Sequence, residues 1–189
     1  MMSKSICLSS LLVVLSAVRP TAAQPAAVTP ADEASVTSSE AEPLDPATLD
    51  SLRALYKQLI DAEDRHDLAT VRAMVWKSPS ALFVAKTATP AEGNWAGFWG
   101  TDVVVTHIGE LFGAGSFHID PDYAKEKVVG LTRDVAETYA PVAISVAYAG
   151  QTPVPKPFIM ILDWIRTPGG WRMATDIALP IPPAPAHDP

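Results

Sequence analysis

The sequence is poor in cysteine and in positive charge. Its 189 residues contain one cysteine, Cys7, and 14 Lys and Arg against 21 Asp and Glu, a net charge of −7. Cys7 lies inside an N-terminal segment that reads as a secretory signal: Lys4 first, a mostly apolar run from Ile6 to Val18, then the small residues Thr21, Ala22 and Ala23 before a cleavage point. The mature chain is then expected to have no cysteine, which excludes a disulfide, a thiolate nucleophile and a cysteine-bound metal. An exported chain without disulfides suits a bacterial periplasm or the medium. Loss of Lys4 and Arg19 with the signal leaves 12 basic residues against 21 acidic ones, a net charge of −9. Such a surface repels phosphate backbones, so nucleic acid is not an expected partner. No basic amphipathic stretch offers itself to anionic lipid. Apart from the signal, no run approaches the roughly 20 apolar residues a membrane-spanning helix needs. A Gly-rich phosphate loop, a nucleophile elbow and a pair of catalytic carboxylates are also not seen. No cofactor is expected.

The rest of the chain divides by composition. Residues 24–43, QPAAVTPADEASVTSSEAEP, have almost nothing to bury and read as a disordered acidic linker. The prolines of the tail, residues 183–189, cannot supply strand amide donors. The folded domain is expected over 44–182. Asp45-Pro46 is a helix start, with Asp as N-cap and Pro in the first turn. Leu49, Leu52, Leu55, Tyr56, Leu59, Glu63 and His66 then recur at spacings of three and four, one stripe of a helix. Asp67 is placed to cap a second, shorter helix, and Thr101 to cap a third, TDVVVTHIGELFG, stopped at Gly113. SALFV reads as a strand, and the aromatic segment GNWAGFWG (93–100) as a strand leading into the third helix.

Beyond the third helix the period changes to two. Candidate strands are Lys127–Leu131, Ala136–Tyr148, Phe158–Arg166 and Trp171–Leu179, the last two joined by Thr167-Pro168-Gly169-Gly170. Helices followed by long antiparallel strands imply an α+β fold. Pairing Arg166 with Trp171 and continuing without interruption puts Phe158, Met160, Leu162, Trp164, Trp171, Met173, Thr175 and Ile177 on the helix-covered face. It puts Ile159, Ile161, Asp163, Ile165, Arg172, Ala174, Asp176 and Ala178 outside. On that register Asp163 lies diagonal to Arg172 as an ion pair at a subunit interface, and a one-residue bulge would reverse the assignment.

Three stretches, LYKQLIDAEDRHDLATVRAMV, FWGTDVVVTHIGELF and DWIRTPGGWRMATD, resemble the SnoaL-like branch of the nuclear transport factor 2-like superfamily. The resemblance covers nearly the whole domain and rests on element order more than on any motif. It implies a cone: a strongly curved antiparallel sheet wrapped around three N-terminal helices, open at one end into a pocket. Homodimers through the outer sheet face are common in that family. Its members include isomerases, polyketide cyclases, dehydratases and non-catalytic binding domains, and the catalytic ones move protons with pocket Asp, His or Tyr side chains. Two departures weigh against such chemistry here. Thr175 stands where relatives often carry a histidine after G-W-R, and WKSPSALFV lacks the acid that relatives often carry before the strand.

The candidate site residues follow. His107, on the apolar stripe of the third helix, and Tyr56, on that of the first, are candidates for acid–base and orienting roles. Trp95, Phe98, Trp99 and Thr175 are candidates for ligand contact, with Gly97 permitting close approach. Each has a plainer use: core packing for the aromatic residues, a hydrogen-bonded core position for His107, a backbone partner for Tyr56. Glu63 and His66, near the helix end, are expected to serve a cap or a salt bridge with Arg65 or Arg72. His118-x-Asp120 offers two possible metal ligands without a third, so no metal is expected. The expectation is an exported protein that binds a small, largely apolar molecule and forms a homodimer. The alternatives are an isomerase- or cyclase-type enzyme acting on a carbonyl compound, and an interaction protein whose pocket its own side chains fill.

Overall fold

The computed structural model describes residues 44–86, 95–147 and 152–182. The expected signal, acidic linker and C-terminal tail lie outside the described residues, as do Gly93 and Asn94 of the aromatic segment.

The helices form where the caps allow. α1 (Pro46–Asp64) starts on Asp45, whose Oδ1 accepts the Thr48 amide at 2.9 Å, with Pro46 preset for the first turn. It buries Leu52, Tyr56, Leu59 and Glu63 of the expected stripe, together with Ile60 and Ala62, while Leu49 and Leu55 are only partly buried. α2 (Leu68–Met74) starts in the same way on Asp67, which accepts from the Thr70 amide at 3.0 Å. α3 (Thr101–Gly113) departs from expectation, because Gly100 and not Thr101 is its N-cap. The chain turns into α3 through φ 91° at Gly100, a conformation glycine adopts without strain. Thr101 thus falls in the first turn. Its hydroxyl donates to the Trp76 carbonyl at 2.7 Å and accepts from the Ser78 amide at 2.9 Å, tying α3 to the segment after α2.

Seven strands form one sheet among the described residues: β1 (Leu82–Lys86), β2 (Trp95–Trp99), β3 (Phe117–Pro121), β4 (Lys127–Thr132), β5 (Val135–Val146), β6 (Lys156–Thr167) and β7 (Gly170–Pro180). The order is β2-β1-β7-β6-β5-β3, and β4 also pairs with β5. β3 takes the Val142–Val146 end of β5 and β4 the Val135–Tyr139 end. The sheet is curved and open, giving an α+β fold as expected. The β1–β7 pair is parallel and the others antiparallel. β3 is not anticipated in the sequence, where FHIDP shows little apolar character and Ile119 alone is buried. The helices and the inner sheet face close on Leu52, Leu59, Val104, Ile108, Leu162 and Trp164. Trp164 is fully buried, and its Nε1 donates to Thr138 Oγ1 at 2.9 Å, so its one polar atom is satisfied.

The β6–β7 hairpin carries the main correction. Arg166 does pair with Trp171 and Trp164 with Met173, as the turn predicts, but the next pair is Asp163 with Thr175. Ala174 is an extra residue on β7, a bulge, and beyond it every side chain changes face relative to simple alternation. Asp176 pairs with Leu162 and Ala178 with Met160, so both point inward. Thr175 and Ile177 point outward with Asp163 and Ile161. Nor does the expected Asp163–Arg172 ion pair form: the bulge sets Thr175 opposite Asp163, and Arg172 Nη1 donates to the Trp171 carbonyl at 2.7 Å.

Candidate functional site

Inward rotation of Asp176 puts a carboxyl group in the middle of the core. Cross-strand partners share a face, so the registers define a continuous row across six strands: Phe98, Phe83, Asp176, Leu162, Thr138 and Val128. Asp176 is the one ionisable residue in that row and is 1% exposed. Thr138 already holds the Trp164 indole, but Asp176 Oδ1 has no hydrogen-bond partner. Burial pushes the Asp176 carboxyl up to about 7, so it changes protonation near neutrality.

α1 packs on the β3, β4 and β5 side of the sheet. Tyr56 and Glu63 are seven residues apart, two helical turns, and so share one face. Both are buried, Tyr56 fully and Glu63 at 3% exposure. Burial holds the Glu63 carboxyl well above the usual carboxylate range, and the charges of Asp176 and Asp64 add to the effect. Burial likewise raises the Tyr56 phenol, assisted by Asp176, Tyr123, Glu126 and Glu63. The Tyr56 hydroxyl is therefore a permanent donor, and it too has no partner. Toward the surface, the Tyr123 ring meets the Tyr56 ring edge-on at 6.2 Å and 71°. Nearby, Glu126 is partly buried, its carboxyl is raised by burial, and its Oε1 is unpartnered.

An unpaired buried polar atom costs about 1–3 kcal/mol. Two such atoms, Tyr56 Oη and Asp176 Oδ1, within mutual electrostatic reach make a locus that a ligand's polar group would relieve. Chemically it offers a phenol donor, a carboxyl that is donor or acceptor according to pH, and a second carboxyl that burial and the charge of Asp176 raise. Glu63 of α1 and Asp176 of β7 are both buried acids, and the charge of Asp176 raises the Glu63 carboxyl. The expected use of Glu63 as a cap or a salt bridge with Arg65 or Arg72 is corrected. Arg72 instead pairs with Asp102 at 2.6 Å.

The other candidates fall around this centre. His107 is buried and its ring stacks on Phe98, 3.7 Å between centroids and 13° between planes, while Nδ1 meets Glu110 Oε2 at 2.9 Å. Phe83 joins the two groups, as strand partner of Asp176 and ring neighbour of His107 at 5.8 Å. The structure thus brings Tyr56 to the acid pair and places Phe98 and His107 one aromatic side chain away. Trp95 reaches Phe158, 6.3 Å between centroids, and Trp99 is 59% exposed, so the three rings of β2 do not form a single wall. Instead of opening a gap for a ligand, Gly97 lies beneath the Trp99 indole, whose Nε1 is 3.2 Å from where a Cβ would stand. Thr175 faces outward, for the reason given above. His66, expected on the buried stripe, is exposed: it lies in the turn beyond the α1 C-cap Arg65, at φ 55°, with its ring stacked on Phe112 at 4.9 Å. His118 is 3.0 Å from Asp64, whose other carboxylate oxygen accepts the Ile119 amide at 2.8 Å. Among the described residues no group of three or more His, Cys, Asp or Glu is placed to hold a metal ion.

Solved structures share this fold at low sequence identity. A nuclear transport factor 2-like superfamily protein from Salmonella enterica serovar Typhimurium aligns at TM-score 0.60 and 14% identity, covering 76% of this chain and 99% of that one. A protein of the same family from Streptomyces avermitilis, described as a candidate dehydratase, aligns at 0.59 and 17%, covering 72% and 98%. An uncharacterised protein with a cystatin-like fold from Caulobacter vibrioides aligns at 0.60 and 12%, covering 71% and 89%. No family model matches the chain, and no curated protein matches it in sequence. The fold is that of nuclear transport factor 2-like proteins.

Proposed function

We propose that the chain binds a small, largely apolar molecule at the inner sheet face, with Tyr56, Asp176 and Glu63 as its polar anchors. One observation carries this reading: Tyr56 Oη and Asp176 Oδ1 are buried in an apolar surround with no partner. Native proteins leave few such atoms, and those they leave call for a functional account. Sites of this kind are mostly apolar with a few placed polar groups. Phe83 and Leu162 flank Asp176, and Tyr56 adds its ring.

A second reading rests on a separate observation. Asp176 titrates near 7, where a general acid or base works best at neutral pH. Beside a phenol donor it could move a proton on a carbonyl compound, and the candidate dehydratase of like fold suits that class. His107, one ring away, has its Nδ1 held by Glu110 and would orient rather than transfer. A bell-shaped pH–rate profile whose acid limb disappears in Asp176→Asn would establish catalysis. Retention of a discrete compound without turnover would establish binding alone.

The outer face fits a homodimer. Ile159, Ile161, Ile165 and Ile177 alternate there with Asp163 and Arg172. Asp163 lies directly opposite Glu137, and like charges in that position repel. Arg172 donates to the Trp171 carbonyl and makes no ion pair among the described residues, so in a two-fold dimer it is available to Asp163 and Glu137 of the other copy. Export through cleavage after Ala23 remains part of the proposal. Native mass spectrometry of the protein purified gently from its own host tests all three. The expected result is a dimer whose subunits begin at Gln24 and carry a small molecule. A bare monomer would refute the interface, and a subunit retaining residues 1–23 would refute export.

A further inference from the structure

Most cations among the described residues stand beside acids: Arg53 by Asp50, Lys57 by Asp61, Arg72 by Asp102, Lys125 by Asp122, and Arg133 and Arg166 by Asp134. Lys77 and Arg172 have no acidic partner among these residues, and one cavity brings them together. It measures about 320 Å³ and is lined by Val75, Trp76, Lys77, Thr167 and Arg172. The backbone builds it. Val75 bridges Met173 in parallel and the Trp76 amide donates to the Met173 carbonyl at 2.8 Å, so the segment after α2 runs beside the start of β7. Thr167 closes the hairpin there, its hydroxyl donating to the Gly170 carbonyl at 2.7 Å and accepting the Gly169 amide at 3.2 Å. Arg172 pairs with Ile165 on the outer side of the sheet, and no lining residue belongs to the inner-face site.

The Arg172 guanidinium is held on one edge. Nη1 donates to the Trp171 carbonyl at 2.7 Å, while Nε and Nη2 have no partner among the described residues. Gly169 leaves room for it, since a Cβ there would stand 3.2 Å from Nη2. Nε–H and Nη2–H form a planar fork that matches the two oxygens of a carboxylate. Lys77 adds a second charge, and neither side chain can accept a hydrogen bond. We propose that this cavity takes a small organic carboxylate, its oxygens on the free edge of Arg172, Lys77 as second cation, and its carbon body beside Val75 and Trp76. The chain's net charge of −7 opposes a phosphate dianion more than a monocarboxylate. In the dimer proposed above, Asp163 or Glu137 of a second copy would bring the same group to Arg172, so the source is tested together with the chemistry.

Isothermal titration calorimetry on the purified protein tests this with benzoate, benzamide and inorganic phosphate. Benzoate is expected to bind roughly tenfold tighter than benzamide, because only the anion makes charge-assisted hydrogen bonds. Arg172→Lys keeps the charge but loses the fork and should weaken benzoate roughly tenfold. Lys77→Gln, at an exposed position, should weaken it about two- to fivefold. Far-UV circular dichroism and melting show that both variants fold. Benzamide or phosphate binding as tightly as benzoate overturns the carboxylate. An affinity for benzoate that survives both substitutions overturns the cavity, as does no heat from benzoate at millimolar concentration. Repeating the titration at low and high protein concentration separates the sources. Affinity independent of dimerisation supports the small molecule, and benzoate binding that fades as the dimer forms gives the fork to the second copy and overturns it.

Discussion

Replacement of Asp176 by asparagine should stabilise the protein, and the gain should grow with pH. Asp176 is fully buried, and its carboxyl stands at about 7 against an ordinary value of 3.8. Below pH 3.8 the native and unfolded chains both hold the proton, and stability is fully present. Between 3.8 and 7 the unfolded chain releases the proton and the native chain keeps it, so stability falls as pH rises. Above 7 the native carboxyl ionises too, and the loss levels off. The difference corresponds to about 4 kcal/mol at pH 8 and about 2 kcal/mol at pH 5. Asparagine keeps the shape and does not titrate. It also relieves Glu63, whose carboxyl the Asp176 charge pushes up. The variant should therefore exceed the native chain by about 4 kcal/mol at pH 8, roughly 10 °C in Tm for a domain of this size. Urea unfolding followed by tryptophan fluorescence at pH 5, 6.5 and 8 measures this directly. An Asn variant that is less stable than the native chain at pH 8, or whose advantage is the same at pH 5 and pH 8, would refute the buried-acid account.

The other expectations concern single atoms. Tyr56→Phe removes an unpartnered buried hydroxyl, so it should leave stability unchanged or raise it by up to about 1 kcal/mol while weakening ligand retention, read by melting and by native mass spectrometry. Thr138→Val strands the buried Trp164 Nε1 and should cost about 1–3 kcal/mol in urea unfolding, with a shift in tryptophan emission. Gly100→Ala forces a Cβ onto φ 91° although the nearest outside atom is 3.9 Å away, so a loss of about 1–2 kcal/mol would come from the backbone alone. A loss near zero would mean that the turn into α3 relaxes.

The inner sheet face supplies a mostly apolar row, and α1 adds two buried polar groups, Tyr56 and Glu63. A fold of this kind hosts many functions, so the weight falls on Tyr56, Glu63 and Asp176 rather than on the architecture.

Local chemistry is legible in the sequence. Asp45 and Asp67 announce their helices because a cap and its Thr partner lie three residues apart. The α1 stripe is written at spacings of three and four, and it includes Tyr56 and Glu63. The TPGG turn sets the first pairs of the last hairpin, Arg166 with Trp171 and Trp164 with Met173, because a short turn leaves one register. The α+β order follows from the change of period. What no local pattern carries is the bulge at Ala174. One extra residue decides whether Thr175 or Asp176 enters the core, and it answers to the curvature of the whole sheet and to pairing with β1, more than 80 residues away in the chain. β3 is hidden for a related reason: its pairing with β5 and the tie from Asp64 hold a segment whose own side chains say little. Sequence alone thus determined every element but β3 and most of their faces, since those depend on neighbours a few residues apart. Only the tertiary structure decided that two carboxyls and a phenol are buried in one core, since that depends on the first helix and the last strand packing into the same interior.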